Sequence, residues 1–267
     1  MVLMARTGLA LITASLQEKL VYRFDLIMGL LRALIQIFVF HQLWAVLFTG
    51  VDDYAGFTLE QTQTYVVISM SIMPLLDRSF LPQVNERIRS GNIVFDLARP
   101  VYYGNLLLYQ GLGQFAATLL TTSLPLLVFS FVFFSIAMPD SVFTWITFLA
   151  SFCMAYYTAF LMDLIASLWG FWIASVWGLF YAKWNLLQIL GGMYIPLWFF
   201  PSPFKEIVLL LPFRGVAFTP LSILVGGVAP EELPMALGLQ IFWIIMLLWF
   251  SKFMYARVVK KLAVQGG

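Results

Sequence analysis

Residues 235–255 read MALGLQIFWIIMLLWFSKFMY, and this stretch decides the fold class. Its only formally charged side chain is Lys252, close to the end of the run. A helix of about 20 apolar residues spans the hydrocarbon core of a bilayer, which is about 30 Å thick. A surface helix of a water-soluble protein would instead carry a polar face. The stretch therefore predicts a membrane-spanning helix.

The composition extends this conclusion to the whole chain. Of the 267 residues, 62% are hydrophobic and 10% are charged, whereas soluble domains average about 45–50% and about 25%. The mean hydropathy is +0.92. So few charges cannot cover the surface of a water-soluble fold of this size. No polar linker divides the chain, so we expect a single membrane domain over residues 1–267.

Six apolar segments are long enough to be considered as spans. The predicted spans cover approximately residues 26–48, 62–80, 106–137, 142 into the 160s, 186–200 and 235–255.

The distribution of basic residues favours six spans over seven. Residues 163–183 are apolar enough to form a further span. With six spans and both termini in the cytoplasm, all of the 15 Lys and Arg residues except Lys205 and Arg214 lie at the inner face. A seventh span would export the basic tail at 252–261, against the positive-inside tendency. We therefore expect an all-α integral membrane protein with six transmembrane helices.

The aromatic residues of the ambiguous stretch are interpreted as an interfacial belt around a turn at the inner face, after a long, bent fourth helix. They are Trp169, Trp172, Trp177, Tyr181 and Trp184.

Two further elements are predicted outside the spans. Near the N-terminus, apolar residues recur every three or four positions from Leu9 to Ile27, which predicts an amphipathic helix in the membrane interface. Between the fifth and sixth spans, residues 201–212 and a second apolar piece closed by Pro220 are too short to cross the bilayer. Their prolines interrupt any longer helix. We expect re-entrant or interfacial helices on the outer face, with a plain apolar loop as the alternative.

The most informative polar stretch is NERIRSGNIVFDLARP at residues 85–100, between the second and third spans. Residues 86–89 resemble one helical turn that ends at Ser90 and Gly91. Apolar residues follow at Ile93, Phe95 and Leu97, interleaved with polar or small neighbours. An ordinary positively charged loop is the simplest interpretation. The apolar residues among the charges, and the length of the stretch, argue against it.

This stretch resembles the corresponding loop of ABC-2 type permeases, in particular the single-domain bacterial six-span subunits. In that family the loop contains a coupling helix that docks into a groove on a separate ABC ATPase. The matching positions are Glu86, Arg87, Ile88, Arg89, Ser90, Gly91, Asp96, Arg99 and Pro100. Asn92 departs from the pattern, because an acidic residue is common there.

The resemblance implies a bacterial inner-membrane protein with both termini in the cytoplasm. It implies two copies of the ATPase, which would hold ATP and Mg²⁺, and a second permease that is the same or a different chain. No cofactor is expected on this chain, because it has no Gly-x-x-x-x-Gly-Lys-Ser/Thr run. Within the loop, Ile88 or Ile93 is expected to contact the ATPase as an apolar anchor.

Polar residues inside the third predicted span form a second candidate site. Gln110, Gln114, Thr118 and Thr122 are spaced by four residues and share a helical face, with small residues beside them. Intramembrane polar groups are costly and are therefore candidate functional positions. The stripe would line a substrate path or form the face at which two permeases pack, and both alternatives stay open.

Other polar positions have simpler interpretations. Asp163 is expected near the inner headgroups, where it caps a helix or pairs with Lys183. The only cysteine, Cys153, has apolar neighbours and is expected to be a small buried side chain. No catalytic constellation and no metal-ligand spacing is present. The net charge of +2 gives no indication of a nucleic-acid partner.

Three functions agree with the sequence to different degrees. The first is the permease subunit of an ATP-driven exporter of an amphiphilic small molecule, natural product, drug or lipid-like substrate. The second is a secondary transporter or channel without an ATPase, which inverted repeats or charges at the midplane would favour. The third is a membrane-embedded enzyme acting on lipid, against which the missing acid, base and metal groups count.

Overall fold

The computed structural model describes residues 13, 17, 23–76, 80–97, 102–173 and 176–265. Over these residues the chain is mostly helical, with one small β-hairpin. The predicted N-terminal amphipathic helix lies largely outside the described residues.

The structure contains the following helices, which are numbered in chain order. They are α1 (Arg23–Leu47), α2 (Leu59–Leu76), α3 (Leu81–Arg89), α4 (Ile93–Leu97), α5 (Tyr103–Thr118), α6 (Leu124–Phe133), α7 (Val142–Trp169), α8 (Trp177–Leu190), α9 (Phe204–Leu210), α10 (Phe218–Leu224) and α11 (Leu233–Gln265). A π-helical segment, Leu119–Ser123, joins α5 to α6, and short 3₁₀ turns cover Leu197–Phe199 and Pro212–Gly215.

Within the described part of the chain, four helical stretches are long and apolar enough to cross a membrane. These are Phe24–Leu47, Tyr103–Phe133, Val142–Trp169 and Leu233–Lys260. The predicted all-helical membrane class agrees with this finding. Two further helices are shorter: α2 has 18 residues and α8 has 14. At about 1.5 Å per residue, they reach about 27 Å and about 21 Å.

The helices connect two ends of the molecule. At the first, which we call the loop end, a buried cluster joins α3 and α4 to the start of α5 and to the ends of α7 and α11. The opposite end, which we call the hairpin end, contains the strands β1 (Asp53–Tyr54) and β2 (Phe57–Thr58). There Phe57 stacks on Trp198 with ring centroids 3.8 Å apart, and the Gln61 side chain donates to the carbonyl of Val225 at 3.1 Å.

Helix α2 forms the centre of the chain's own core. Most of its residues after the first turn are buried. The Tyr65 hydroxyl donates to the carbonyl of Gly192 at 2.7 Å, and the Ser69 hydroxyl donates to that of Met193 at 2.9 Å. By contrast, α1 packs on α2 with one side and exposes apolar residues such as Phe24 and Val46 on the other. Such exposed apolar faces suit contact with lipid.

The structure corrects the position of the fifth predicted span. The segment 186–200 is not one helix, because α8 begins at Trp177 and ends at Leu190. Gly191 and Gly192 form the turn that ends it, and Gly192 has φ +72°, which favours glycine. Trp177, Tyr181 and Trp184 therefore belong to a helix and not to the turn predicted there.

Three other expectations differ from the structure in detail. Pro220 does not close the second short apolar piece, because it lies in the first turn of α10, where its missing N–H costs little. The β-hairpin was not expected; Ala55 and Gly56 both have positive φ, as a two-residue hairpin turn requires. The expectation that Cys153 is buried was wrong, because its side chain is exposed on α7.

Candidate functional site

The polar stretch folds into a compact pair of helices, α3 and α4, which we call the α3–α4 element (residues 80–97). Leu81 and Val84 on α3 are buried, and Ile88 is half-buried on the same face, because positions three or four apart meet on one side of a helix. The helix ends at Ser90, as the sequence predicts. Gly91 then reverses the chain with φ +74°.

An internal ion pair holds the two helices of the element together. The guanidinium of Arg87 donates to the carboxylate of Asp96, which is 3% exposed. This hydrogen bond raises the pKa of the Arg87 guanidinium. Both residues were predicted to contact the ATPase. Within the chain itself, Asp96 is buried and Arg87 stays partly exposed.

The exposed side of the α3–α4 element carries both charges and apolar groups. Glu86, Arg89, Ser90, Gly91 and Asn92 are all exposed. In α4, which follows directly along the chain, Phe95 is 73% exposed and Val94 is 54% exposed.

The choice of apolar anchor therefore needs correction. Ile93 is 1% exposed and lies in the buried cluster at the loop end, and Ile88 packs against the same cluster. The reason is the turn at Gly91, which brings Ile93 back over α3 and leaves Phe95 on the outside. Phe95 and Val94 are exposed apolar groups of the element.

A shallow groove runs beside the element. Its volume is about 660 Å³, and it lies between the polar face of α3, including Glu86 and Arg89, and the residues Val176 and Trp177. Trp177 and Trp172 are both largely exposed. The start of α8 and the α3–α4 element thus line one groove at the loop end.

The start of α3 is attached to helices α7 and α8 through Asp163. This carboxylate on α7 accepts a hydrogen bond from the backbone N–H of Phe80 and an ion pair from the ammonium of Lys183 on α8. Asp163 is 1% exposed. The predicted pairing of Asp163 with Lys183 is confirmed, whereas its contact with the first residue before α3 was not foreseen.

A comparison with protein families now identifies the chain's relatives. Residues 33–266 match the family described as ABC-2 family transporter protein. The chain belongs to this family. The resemblance inferred from the polar loop is confirmed, and the match extends over nearly all of the chain. A comparison with curated proteins finds no match.

The second candidate site of this ABC-2 protein, the polar stripe, is divided by the fold. Thr118 is 3% exposed, and its hydroxyl donates to the carbonyl of Gln114 at 2.9 Å. Gln110 and Gln114 are half-buried. Thr122 lies in the π-helical segment, where residues four apart no longer keep the α-helical offset, so the shared face holds only for the first three residues.

Two members of the predicted coupling set, Arg99 and Pro100, lie outside the described residues of the ABC-2 chain. Within the described ranges, no group of three or more His, Cys, Asp or Glu side chains has the arrangement of a metal site.

Sequence reasoning missed the outward position of Phe95, the Asp163–Phe80 contact and the π-helical segment. A signal for the first was present in the ABC-2 sequence. Phe95 is a large aromatic residue in the most highly charged loop, where the bilayer does not require one.

Proposed function

We propose that the chain is the membrane-spanning subunit of an ATP-driven exporter, with ATP hydrolysis on a separate ABC ATPase. Membership of the ABC-2 family supports a transporter subunit. The ATPase would hold ATP and Mg²⁺, and this chain would bind neither. Two ATPase copies and a second permease, the same chain or a different one, would complete the transporter in the bacterial inner membrane.

The proposed topology has six spans. The four long helical stretches would each cross the bilayer once. Helices α2 and α8 would make the other two crossings, since α2 runs from the hairpin end toward the loop end and α8 starts at the loop end. This arrangement would place the loop end and both termini in the cytoplasm. The short helices α9 and α10 would then form the re-entrant pair at the outer face.

The exported substrate would be an amphiphilic small molecule, natural product, drug or lipid-like compound. The proposal of amphiphilic character draws on the half-buried amides of Gln110 and Gln114 within a largely apolar helix. A path with few polar groups suits molecules that are themselves largely apolar.

The single observation that carries the proposal is the exposed face of the α3–α4 element. Phe95 and Val94 are exposed on the same two-helix element that carries the exposed charges of Glu86 and Arg89, and Leu81 and its neighbours fix this element to the core. A partly apolar, partly charged face on a well-packed element is typical of a protein-binding surface. Rigid attachment is also what a motor outside the membrane needs in order to move the helices inside it.

The experiment reverses one exposed charge and compares it with another on the same side of the membrane. Arg89→Glu should weaken binding of the co-purified ATPase to the chain in nanodiscs by about tenfold or more. Lys260→Glu, which changes an exposed charge on α11, should leave the affinity unchanged. Equal affinity of the Arg89 variant and the wild type would argue against docking at this face.

A further inference from the structure

The connection of the α3–α4 element to the membrane helices is the feature that goes beyond docking. Three elements meet at one buried carboxylate: the backbone N–H of Phe80 and the ammonium of Lys183 both donate to Asp163. The three residues belong to the start of α3, to α8 and to α7, respectively. The N-cap residue Phe80 makes no side-chain capping hydrogen bond, and its own backbone N–H is bound by Asp163 of another helix.

The side chain of Phe80 adds a second, apolar connection at the same place. It is 2% exposed and lies edge-to-face with Phe160 of α7, with ring centroids 6.2 Å apart. On its other side it fits against Gly111 of α5, where an added Cβ would lie 3.1 Å from the Phe80 ring. The same Cβ would lie 3.0 Å from the hydroxyl of Tyr156. Phe80 therefore contacts α5 one residue away from Gln110 of the polar stripe.

A buried ion pair is an expensive way to hold helices together. Its desolvation cost offsets much of the attraction, and an apolar pair of similar volume often stabilises a fold as well or better. A charge pair differs from apolar packing because it is directional and opposes sliding of one helix past another. This property suits a contact that passes a displacement on.

We propose that Asp163 and Lys183 form a joint that transmits the displacement of α3 to α7 and α8. The inference rests on the proposed function, because it supposes an ATPase that moves α3. Asp163 and Lys183 act as positioning residues: they touch neither ATP nor the substrate. They fix the start of α3 to the helices that must move.

The native cysteine provides a reporter on one of the moved helices. Cys153 lies on α7, ten residues before Asp163, and its side chain is exposed. The chain, with an environment-sensitive fluorophore on Cys153, is assembled with its ATPase in nanodiscs, and the emission is recorded before and after addition of ATP. In the wild-type chain, ATP should shift the emission.

The decisive variant is the double substitution Asp163→Asn with Lys183→Met, which removes both charges of the pair. Its ATP-dependent shift should fall by about fivefold or more, within the usual range of coupling between sites. Its affinity for the ATPase and its Tm should stay close to those of the wild type, which a merely structural role would not predict. Lys183→Arg keeps a positive charge opposite Asp163, so this variant should retain the ATP-dependent shift. Asn185→Ala, on the same helix but away from the joint, is the matched control.

Each outcome has one meaning. The proposal is overturned if the double variant shows the full ATP-dependent shift. It is also overturned if a wild-type chain that binds the ATPase shows no shift. If the double variant fails to insert, Lys183→Gln takes its place, because an amide still donates to Asp163 without a charge. We expect the Lys183→Gln variant to lose the ATP-dependent emission shift as well. A shift as large as that of the wild-type chain would overturn the proposal. Failure of the wild-type chain to bind any ATPase instead overturns the proposed function itself, which the binding measurement shows separately.

Discussion

Truncation of Phe95 should weaken ATPase binding more than any other single change on the exposed face of the α3–α4 element. A phenylalanine that becomes fully buried covers about 200 Å², so its 73% exposure leaves about 150 Å² for a partner to cover. At about 25 cal/mol per Å², this area contributes about 3–4 kcal/mol to binding. Alanine keeps part of it, so Phe95→Ala should cost about 2 kcal/mol, or about 30-fold in Kd.

The assay is a titration of purified ATPase against the chain in nanodiscs, with binding followed at equilibrium. The matched control is Phe133→Ala. Phe133 is 66% exposed, but it ends α6 at the hairpin end. The control removes the same type of side chain at a similar exposure but at the opposite end of the molecule. It should therefore bind the ATPase with the affinity of the wild-type chain.

A Kd for Phe95→Ala within about twofold of the wild-type value would refute the reasoning. It would mean that Phe95 contacts the lipid headgroup region instead of a protein partner. Equal weakening by both alanine substitutions would point to a general loss of fold, which the Tm of each variant would reveal.

Three further outcomes are expected. Arg87→Met removes the cation that pairs with buried Asp96, so amide hydrogen exchange in residues 81–97 should quicken, corresponding to about 1–3 kcal/mol of lost local stability; an unchanged rate would contradict the role of the pair. Gly91→Ala places a side chain at φ +74° and should cost about 1–2 kcal/mol, measured as a lower Tm. Gln114→Leu should alter substrate preference in transport assays with assembly intact, whereas Thr118→Leu should overpack its buried site and lower the Tm. Loss of the assembled complex with Gln114→Leu would favour packing over a substrate path.

The sequence predicts the class, the helical turn before Gly91 and the Asp163–Lys183 pair for local reasons. Apolar length alone implies the bilayer, and glycine after a charged turn implies a helix end. Asp163 and Lys183 were candidates for an ion pair because opposite charges that lie near the same membrane interface attract each other. All three conclusions need only the nearby chain or one simple physical constraint.

Other features depend on contacts that a one-dimensional pattern does not show. Ile93 and Phe95 are both apolar and two residues apart, and only the direction of the turn at Gly91 decides which of them is buried. The fifth span was predicted to start too far along the sequence, because the aromatic residues from Trp177 onward suit an interfacial belt as well as a helix. The π-helical segment likewise was not predicted; it lies just before Pro125, which has no backbone N–H to donate to the preceding turn.

The central claim is that this ABC-2 chain works with a separate ATPase docked at the loop end. The most direct test is to extract the tagged chain under mild conditions and to identify by mass spectrometry the proteins that remain bound. The account predicts a polypeptide with a Gly-x-x-x-x-Gly-Lys-Ser/Thr motif in stoichiometric amount, lost when both Arg89 and Phe95 are replaced. Recovery of the chain without any ATPase, while it still transports in vesicles driven by an ion gradient, would contradict the claim and would favour a secondary transporter.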